Sequence, residues 1–325
     1  MRRTSRKSVL TCIFLILAGL LPHNAAAEYP DKPVRLIAPF PPGGGVDIVA
    51  RVIAQAMGEN MRQQVIVDNR PGATGRIGTE LVARAAPDGY TVLLGSVGAN
   101  AIIPAAYSKL SYDAVNDFTP VSLIASAPYA LVVHPSLRAT SVRDLIALAR
   151  ERPGHVTYAS SGNLSGAHLA GALMAHLAKV QMLHVPYKGA ALAMNDLLGG
   201  QVAMTFAAIS GAVPHVKAQR LRAVGVTGAR RSASLPEVPA IGETLNGFNV
   251  TQWYGLFVPA ATPAPVVKRL HSEAVKAIAQ PAVNKRLVEI GTEPVGSSPD
   301  QLADQVKSEM ARWGSLFKSG VIKIE

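Results

Sequence analysis

The chain has 325 residues, 49% hydrophobic and 16% charged, with 28 Gly and 23 Pro that show no collagen-like period. This excludes a disordered or fibrous chain and allows two domains, each with its own core. The formal charge is +11, but Arg2, Arg3, Arg6 and Lys7 contribute four of it, leaving 28 basic against 21 acidic residues, or +7, on the rest; with no basic stripe interleaved with aromatics, nucleic acid is a poor partner, and the mild positive balance either favours a small anion or merely aids solubility.

The first 27 residues read as a signal sequence. Val9–Leu21 is an apolar run of 13 residues, short of the roughly 20 that span a bilayer. Pro22 breaks it, and Ala25-Ala26-Ala27 offers a small-residue cleavage site after Ala27. Cys12 is the only cysteine, and Thr11 precedes it where a lipoprotein signal carries a smaller residue. The 325 − 27 = 298 residues that follow contain no thiol. They form no disulfide, thiolate metal site or Cys nucleophile.

Beyond the signal, short β-rich runs alternate with helical patterns. Val34–Pro39 is a continuous apolar run of buried-strand type, followed by a Pro/Gly loop and a helix from about Val46 to Asn60. Gln64–Asp68 is a strand, Ile77–Ala86 helical, and Tyr90–Ser96 a third strand. A second cycle sets strands at Ala130–His134, Val156–Ser160, Leu183–Pro186, Val202–Phe206 and Leu221–Thr227. Helices Val142–Arg150, one after Asn163 and through Ala178, Ala190–Leu198 and Gly211–Lys217 lie between them, with Ser141 placed to cap the first. Gln252–Pro259 is one further strand. The helical patterns Pro265–Ala279, Ala282–Ile290 and Pro299–Ser319 lack strands of their own and must pack on an existing sheet.

The expected architecture is therefore α/β with two lobes, each a doubly wound sheet. Lobe one holds residues 28–123 plus 250–325, and lobe two holds residues 124–249. Connections near Thr119–Tyr129 and Phe248–Gln252 join them as a hinge, and the cleft between is the natural ligand site.

Two loops carry the chemistry. Phe40-Pro41-Pro42-Gly43-Gly44-Gly45-Val46-Asp47 leaves a strand in extended backbone, offers glycines that tolerate close approach, and opens a helix. The helix's free N–H groups and positive dipole end suit an anion. No Lys-Ser/Thr follows the glycines, so this is not a nucleotide-hydrolase loop, and a dinucleotide fingerprint is also absent. Asp47 reads either as a structural partner of Arg51 at i,i+4 or as an acceptor for a ligand's amino or hydroxyl group. Ser160-Ser161-Gly162-Asn163-Leu164-Ser165 repeats the design in lobe two, with neutral donors for a carboxylate. Ser96 and Asn100 follow the third strand where ligands sit in open α/β sheets, and Tyr187 is placed to wall the pocket. No nucleophile-and-base constellation, zinc pattern or cofactor motif occurs, so catalytic residues, metals and cofactors are not expected.

The same segments resemble the Bug-type periplasmic solute receptors of tripartite tricarboxylate transporters. The matches are Tyr29-Pro30-Asp31-Lys32-Pro33, Pro39 through Asp47 with Ala50-Arg51, Asn69-Arg70-Pro71-Gly72-Ala73 and Pro87-Asp88-Gly89-Tyr90. Tyr158 through Asn163, His184 through Gly189, Leu197 through Val202 and Leu235 through Pro239 complete them. The resemblance implies a two-lobed, type II-like periplasmic-binding-protein fold that closes on a small carboxylate, held through main-chain amides and ordered water. It implies a periplasmic monomer that delivers the carboxylate to membrane permease subunits. Gly43, Gly44, Ser160, Ser161 and Asn163 match family cleft loops. Two departures stand out. Phe206-Ala207-Ala208 replaces a Phe-Asp-Asn type segment, and Leu164 replaces a small residue. Both predict a less polar pocket, suited to an aliphatic or aromatic carboxylate without an amino group. The expected binding set is thus Phe40, Gly43, Gly44, Asp47, Ser96, Asn100, Ser160, Ser161, Gly162, Asn163, Ser165, Tyr187 and Ala207. A ligand sensor docking to a membrane signalling protein, and a hydrolase using the same cleft, are the alternatives.

Overall fold

Strand β1 (Val34–Ala38) is buried on both faces. Val34, Leu36 and Ala38 face one hydrophobic core and Ile37 faces another, as a parallel strand between two helix layers requires. The computed structural model from which this is read describes residues 29–320 and 322; the expected signal sequence lies outside the described residues. Helix α1 (Gly45–Met61) buries Val46, Val49, Ala50, Ile53, Ala54, Met57 and Met61 along one stripe of 3–4 spacing. It stops at Arg62, which takes a left-handed φ of 53°. Strand β2 (Val65–Asn69), helix α2 (Arg76–Ala83) and strand β3 (Thr91–Ser96) follow, and β1 pairs parallel with both neighbours. A π-helical turn at Gly98–Ile102 runs into α3 (Ile103–Ala106).

Strand β4 (Phe118–Val133) is 16 residues long, where the sequence suggests a linker over Thr119–Tyr129. Pro120 and Pro128 obscure it, since proline cannot donate a ladder hydrogen bond. The ladder absorbs the irregularity by slipping register between Pro120 and Ser122 and again between Leu123 and Ala125. Helix α4 (Val142–Glu151) starts at the expected cap, Ser141, whose Oγ accepts from Asp144 N at 3.1 Å. Then come β5 (Thr157–Ser160), α5 (Gly166–Ala178), β6 (Leu183–Pro186), α6 (Ala190–Leu198), β7 (Met204–Ala208), α7 (Ile209–Lys217) and β8 (Arg222–Val226). Strand β5 pairs parallel with β6 and β7.

Strand β9 (Thr251–Pro259) returns between β3 and β4, giving the order β2-β1-β3-β9-β4-β7-β5-β6. Helices α8 (Ala264–Ala279) and α9 (Pro281–Glu289), the short β10 (Glu293–Pro294) and α10 (Pro299–Lys318) then pack back on the first sheet, as the strandless C-terminal pattern requires.

The molecule is the two-lobed α/β fold, with one correction. Each lobe keeps a parallel core, β2-β1-β3 in one and β6-β5-β7 in the other, but neither sheet is purely doubly wound. Strands β4 and β9 run antiparallel to each other and to β7 and β3 respectively, because they cross between lobes instead of entering through a helical crossover. Along β4, partners change from β9 to β7 between Pro128 and Tyr129. One hydrophobic cluster runs through both sheets, with Ile37, Leu93 and Phe257 at one end and Leu131, Met204 and Phe206 at the other. Among the described residues no helix is long and apolar enough to cross a membrane.

Candidate functional site

A cavity of about 390 Å³ opens between the two sheets. Four helices begin at its wall: α1 after Gly44, α5 after Ser165, α6 after Gly189 and α7 after Ala208. The sequence pointed to two of these. Helices α1, α6 and α7 carry no side-chain cap, so their first-turn N–H groups are left for water or a ligand. Each also presents the positive end of its dipole.

The first loop is shaped from behind by Asp47. Its carboxylate accepts from Gly43 N at 3.0 Å, Arg51 Nε at 3.1 Å and Asn69 Nδ2 at 3.0 Å. Arg51 Nη2 lies 2.9 Å from its other oxygen. Asn69 Nδ2 also donates to Phe40 O at 3.1 Å, tying both ends of the loop to β2. Burial alone would raise the Asp47 pKa, but the hydrogen bonds from Arg51, Gly43 and Asn69 and the Arg51 charge hold it below the usual carboxylate range. Asp47 does not line the cavity; of its two readings, the structure adopts the bracing one. Of the three glycines only Gly43 needs positive φ, at 84°. Gly45 is needed for space: a Cβ there would lie 2.4 Å from the Tyr254 hydroxyl.

The second loop is braced in the same way. Ser160 is fully buried, and its Oγ lies 2.7 Å from His184 Nε2 and 3.0 Å from Gly162 O. This Ser–His contact went unseen in the sequence, and it lies behind the loop, since Ser160 is not among the residues that line the cavity. Leu164 takes a φ of 59° and donates its N–H to His168 Nδ1 at 3.0 Å. Ser165 Oγ accepts from His168 N at 3.3 Å, completing a reciprocal cap on α5. Burial, and then the charge of His184 stacked at 4.0 Å, push the His168 pKa down to about 3.

The expected residues therefore divide. Phe40, Gly43, Gly44, Ser96, Ser161, Ser165 and Ala207 line the cavity. Asp47, Asn100, Ser160, Gly162, Asn163 and Tyr187 do not. Asn100 is fully buried, and its Oδ1 accepts from Ser96 N at 3.1 Å. Tyr187 donates to Asp196 Oδ2 at 2.7 Å, so it holds α6 instead of walling the pocket; burial and this carboxylate raise it to about 12. Leu164 packs into the core and so leaves the cavity's polarity unchanged. Asn163 has an unexpected part: its carbonyl accepts from Thr74 Oγ1 at 3.0 Å, a hydrogen bond from one lobe to the other.

Several lining groups were missed. Tyr129, Gln252 and Tyr254 come from the two crossing strands, and Ala190 to Asn195 come from the start of α6. The available signal was polar side chains set in the apolar runs Ala127–Val133 and Gln252–Pro259. Among the described residues the charged lining is Lys188, and burial and then the Arg220 charge hold the pKa of the lining His215 below the usual histidine value. No Asp or Glu lines the cavity among the described residues. Helix N-termini and one lysine at the wall favour an anion over a cation inside.

The sequence matches the model of the tripartite tricarboxylate transporter family receptor over residues 49–321. The chain belongs to that receptor family. A relative from Pseudomonas sp. (strain P51), a UPF0065 protein in the tcbD-tcbE intergenic region, is 44% identical over 89% of this chain and 86% of its own length. The solved structure of R. palustris Rpa4515 with adipate is 36% identical with a TM-score of 0.86, covering 90% of this chain and 98% of that one. MatC (Rpa3494) from Rhodopseudomonas palustris with bound malate is 32% identical with a TM-score of 0.83, covering 89% and 99%. This membership agrees with the Bug-type resemblance and places the chain among solute-binding receptors.

Proposed function

We propose that this receptor is exported to the periplasm, binds one small organic carboxylate in the cavity between its lobes as a monomer, and hands it to the membrane permease subunits of a tripartite transporter. The convergence of four helix N-termini on a cavity that no carboxylate side chain lines among the described residues carries the reading. A few hydrogen bonds to a charged group, each worth about 1.5–3 kcal/mol, less the cost of ordering, suit a dissociation constant on the order of micromolar. The adipate and malate carried by the two related structures belong to the same chemical class. Strands β4 and β9 serve as the hinge, and the Thr74–Asn163 hydrogen bond holds the lobes together around the ligand.

The ligand carries no ammonium group. Ala207 and Ala208 stand where an acid or amide would meet one, and Ala190, Ala191, Leu192 and Ala193 add apolar surface. Native mass spectrometry of the purified protein, followed by calorimetric titration with adipate, malate, benzoate and glutamate, tests this. Binding of one or more of the first three with glutamate silent is the expected result. Binding of glutamate alone refutes the ammonium-free reading, and binding of none refutes the carboxylate reading.

A further inference from the structure

The two helices that open the cleft loops each begin with a glycine facing a tyrosine hydroxyl. A Cβ at Gly45, the first residue of α1, would sit 2.4 Å from the Tyr254 hydroxyl. A Cβ at Gly166, the first residue of α5, would sit 2.1 Å from the Tyr129 hydroxyl. The tyrosines come from β9 and β4, the strands that join the lobes, and Gln252 lies between them in the chemistry. Tyr129 donates to Gln252 Oε1 at 2.5 Å, and Gln252 and Tyr254, two residues apart on β9, point to the same face of the strand. All three line the cavity.

The direction of this chain of bonds follows from the donor inventory. With its oxygen engaged by Tyr129, Gln252 has its amide N–H to offer Tyr254, which agrees with its lowering effect on that phenol's pKa. The Tyr254 oxygen can accept from that amide while its own hydrogen is left to give. Tyr254 stands opposite Ser96 in the β3–β9 ladder, and its hydroxyl lies where α1 begins and close to Ala208, from which α7 starts. An anion seated on the α1 N–H groups is within its reach. Burial raises the pKa of both tyrosines, so both hydroxyls keep their protons as donors.

We propose that the Tyr254 hydroxyl donates a hydrogen bond to the carboxylate of the bound ligand, and that Tyr129 and Gln252 are positioning residues that aim it. This rests on the carboxylate-receptor reading above. A phenol oriented before binding loses little entropy when the ligand arrives, which converts more of the hydrogen bond into affinity.

The test is calorimetric titration of adipate, malate and benzoate into wild-type, Tyr254→Phe, Tyr129→Phe and double-variant protein, with thermal unfolding as a check on the fold. Tyr254→Phe should weaken binding about 10- to 100-fold, the range of one hydrogen bond to a charged group. Tyr129→Phe should weaken it less, and should add nothing in the Tyr254→Phe background, because it acts only through that hydroxyl. Gln252→Leu provides a second route should Tyr254→Phe fold poorly, and should weaken binding as Tyr129→Phe does or more. Unchanged affinity in folded Tyr254→Phe, or additive losses in the double variant, overturns the proposal. Wild-type protein that binds none of the three overturns the carboxylate reading and this inference with it.

Discussion

Mild acid should destabilise this protein through one buried histidine. His168 is 3% exposed, its Nδ1 accepts the Leu164 N–H at 3.0 Å, and its pKa in the fold is about 3. In the unfolded chain a histidine titrates near 6.5. Between those values the unfolded state takes up a proton that the folded state refuses. Stability therefore falls as pH drops through about 6.5 toward 3, and is fully present above the unfolded value. At pH 5 the loss is about 2 kcal/mol relative to pH 7, from RT ln(1 + 10^1.5) at RT of about 0.6 kcal/mol. The figure barely depends on the folded value, since pH 5 lies well above it. In His168→Asn the Oδ1 stands near the place of Nδ1 and does not titrate. The variant loses ring packing, costing about 1–3 kcal/mol at pH 7. Between pH 7 and pH 5 it should decline about 2 kcal/mol less than wild type. Urea unfolding followed by circular dichroism at pH 7, 6 and 5 measures both slopes. Equal declines in the two proteins would falsify the assignment of His168 as a neutral, proton-refusing cap.

Other substitutions test the site's construction. Gly45→Ala drives a methyl group to 2.4 Å from the Tyr254 hydroxyl, and should cost about 1–3 kcal/mol in denaturant unfolding together with ligand affinity. Gly44→Ala meets only the Pro41 carbonyl at 3.7 Å and should leave the unfolding midpoint near wild type; similar midpoints for the two variants would refute the close-approach argument. Thr74→Val removes the hydroxyl that reaches Asn163 O across the cleft. Calorimetry should show binding weakened about 2- to 10-fold, the worth of one neutral hydrogen bond, with the unliganded melting temperature unmoved; unchanged affinity would deny that bond a part in closure.

The anion loops were legible because glycine, proline and serine write their backbone preferences locally. The run from Phe40 to Asp47 states its turn and its helix start within a few residues. Which polar residue faces the cavity and which braces the loop is not local. Ser160 and Ser161 are adjacent, yet one is sealed against His184 and the other lines the cavity. Asn100 and Tyr187 look like cleft residues in sequence, and both are taken by partners on their own lobe. Tyr129 and Gln252 stand 123 positions apart, and only the antiparallel crossing of β4 and β9 brings them together. That crossing was itself half-hidden, because two prolines disguise a 16-residue strand as a linker. The approximate extent of nearly every helix was readable from its 3–4 apolar spacing, whereas the sheet's mixed direction was not, since strand polarity is set by the route of the chain.

The uninterrupted β4 has a thermodynamic consequence. It is hydrogen-bonded into both sheets, and the hydrophobic cluster around it is shared by both. Neither half can melt without tearing out a strand and a core that the other half requires. Heating should therefore give a single cooperative transition despite the two-part shape, and a ligand gripped at the junction should raise that whole transition at once.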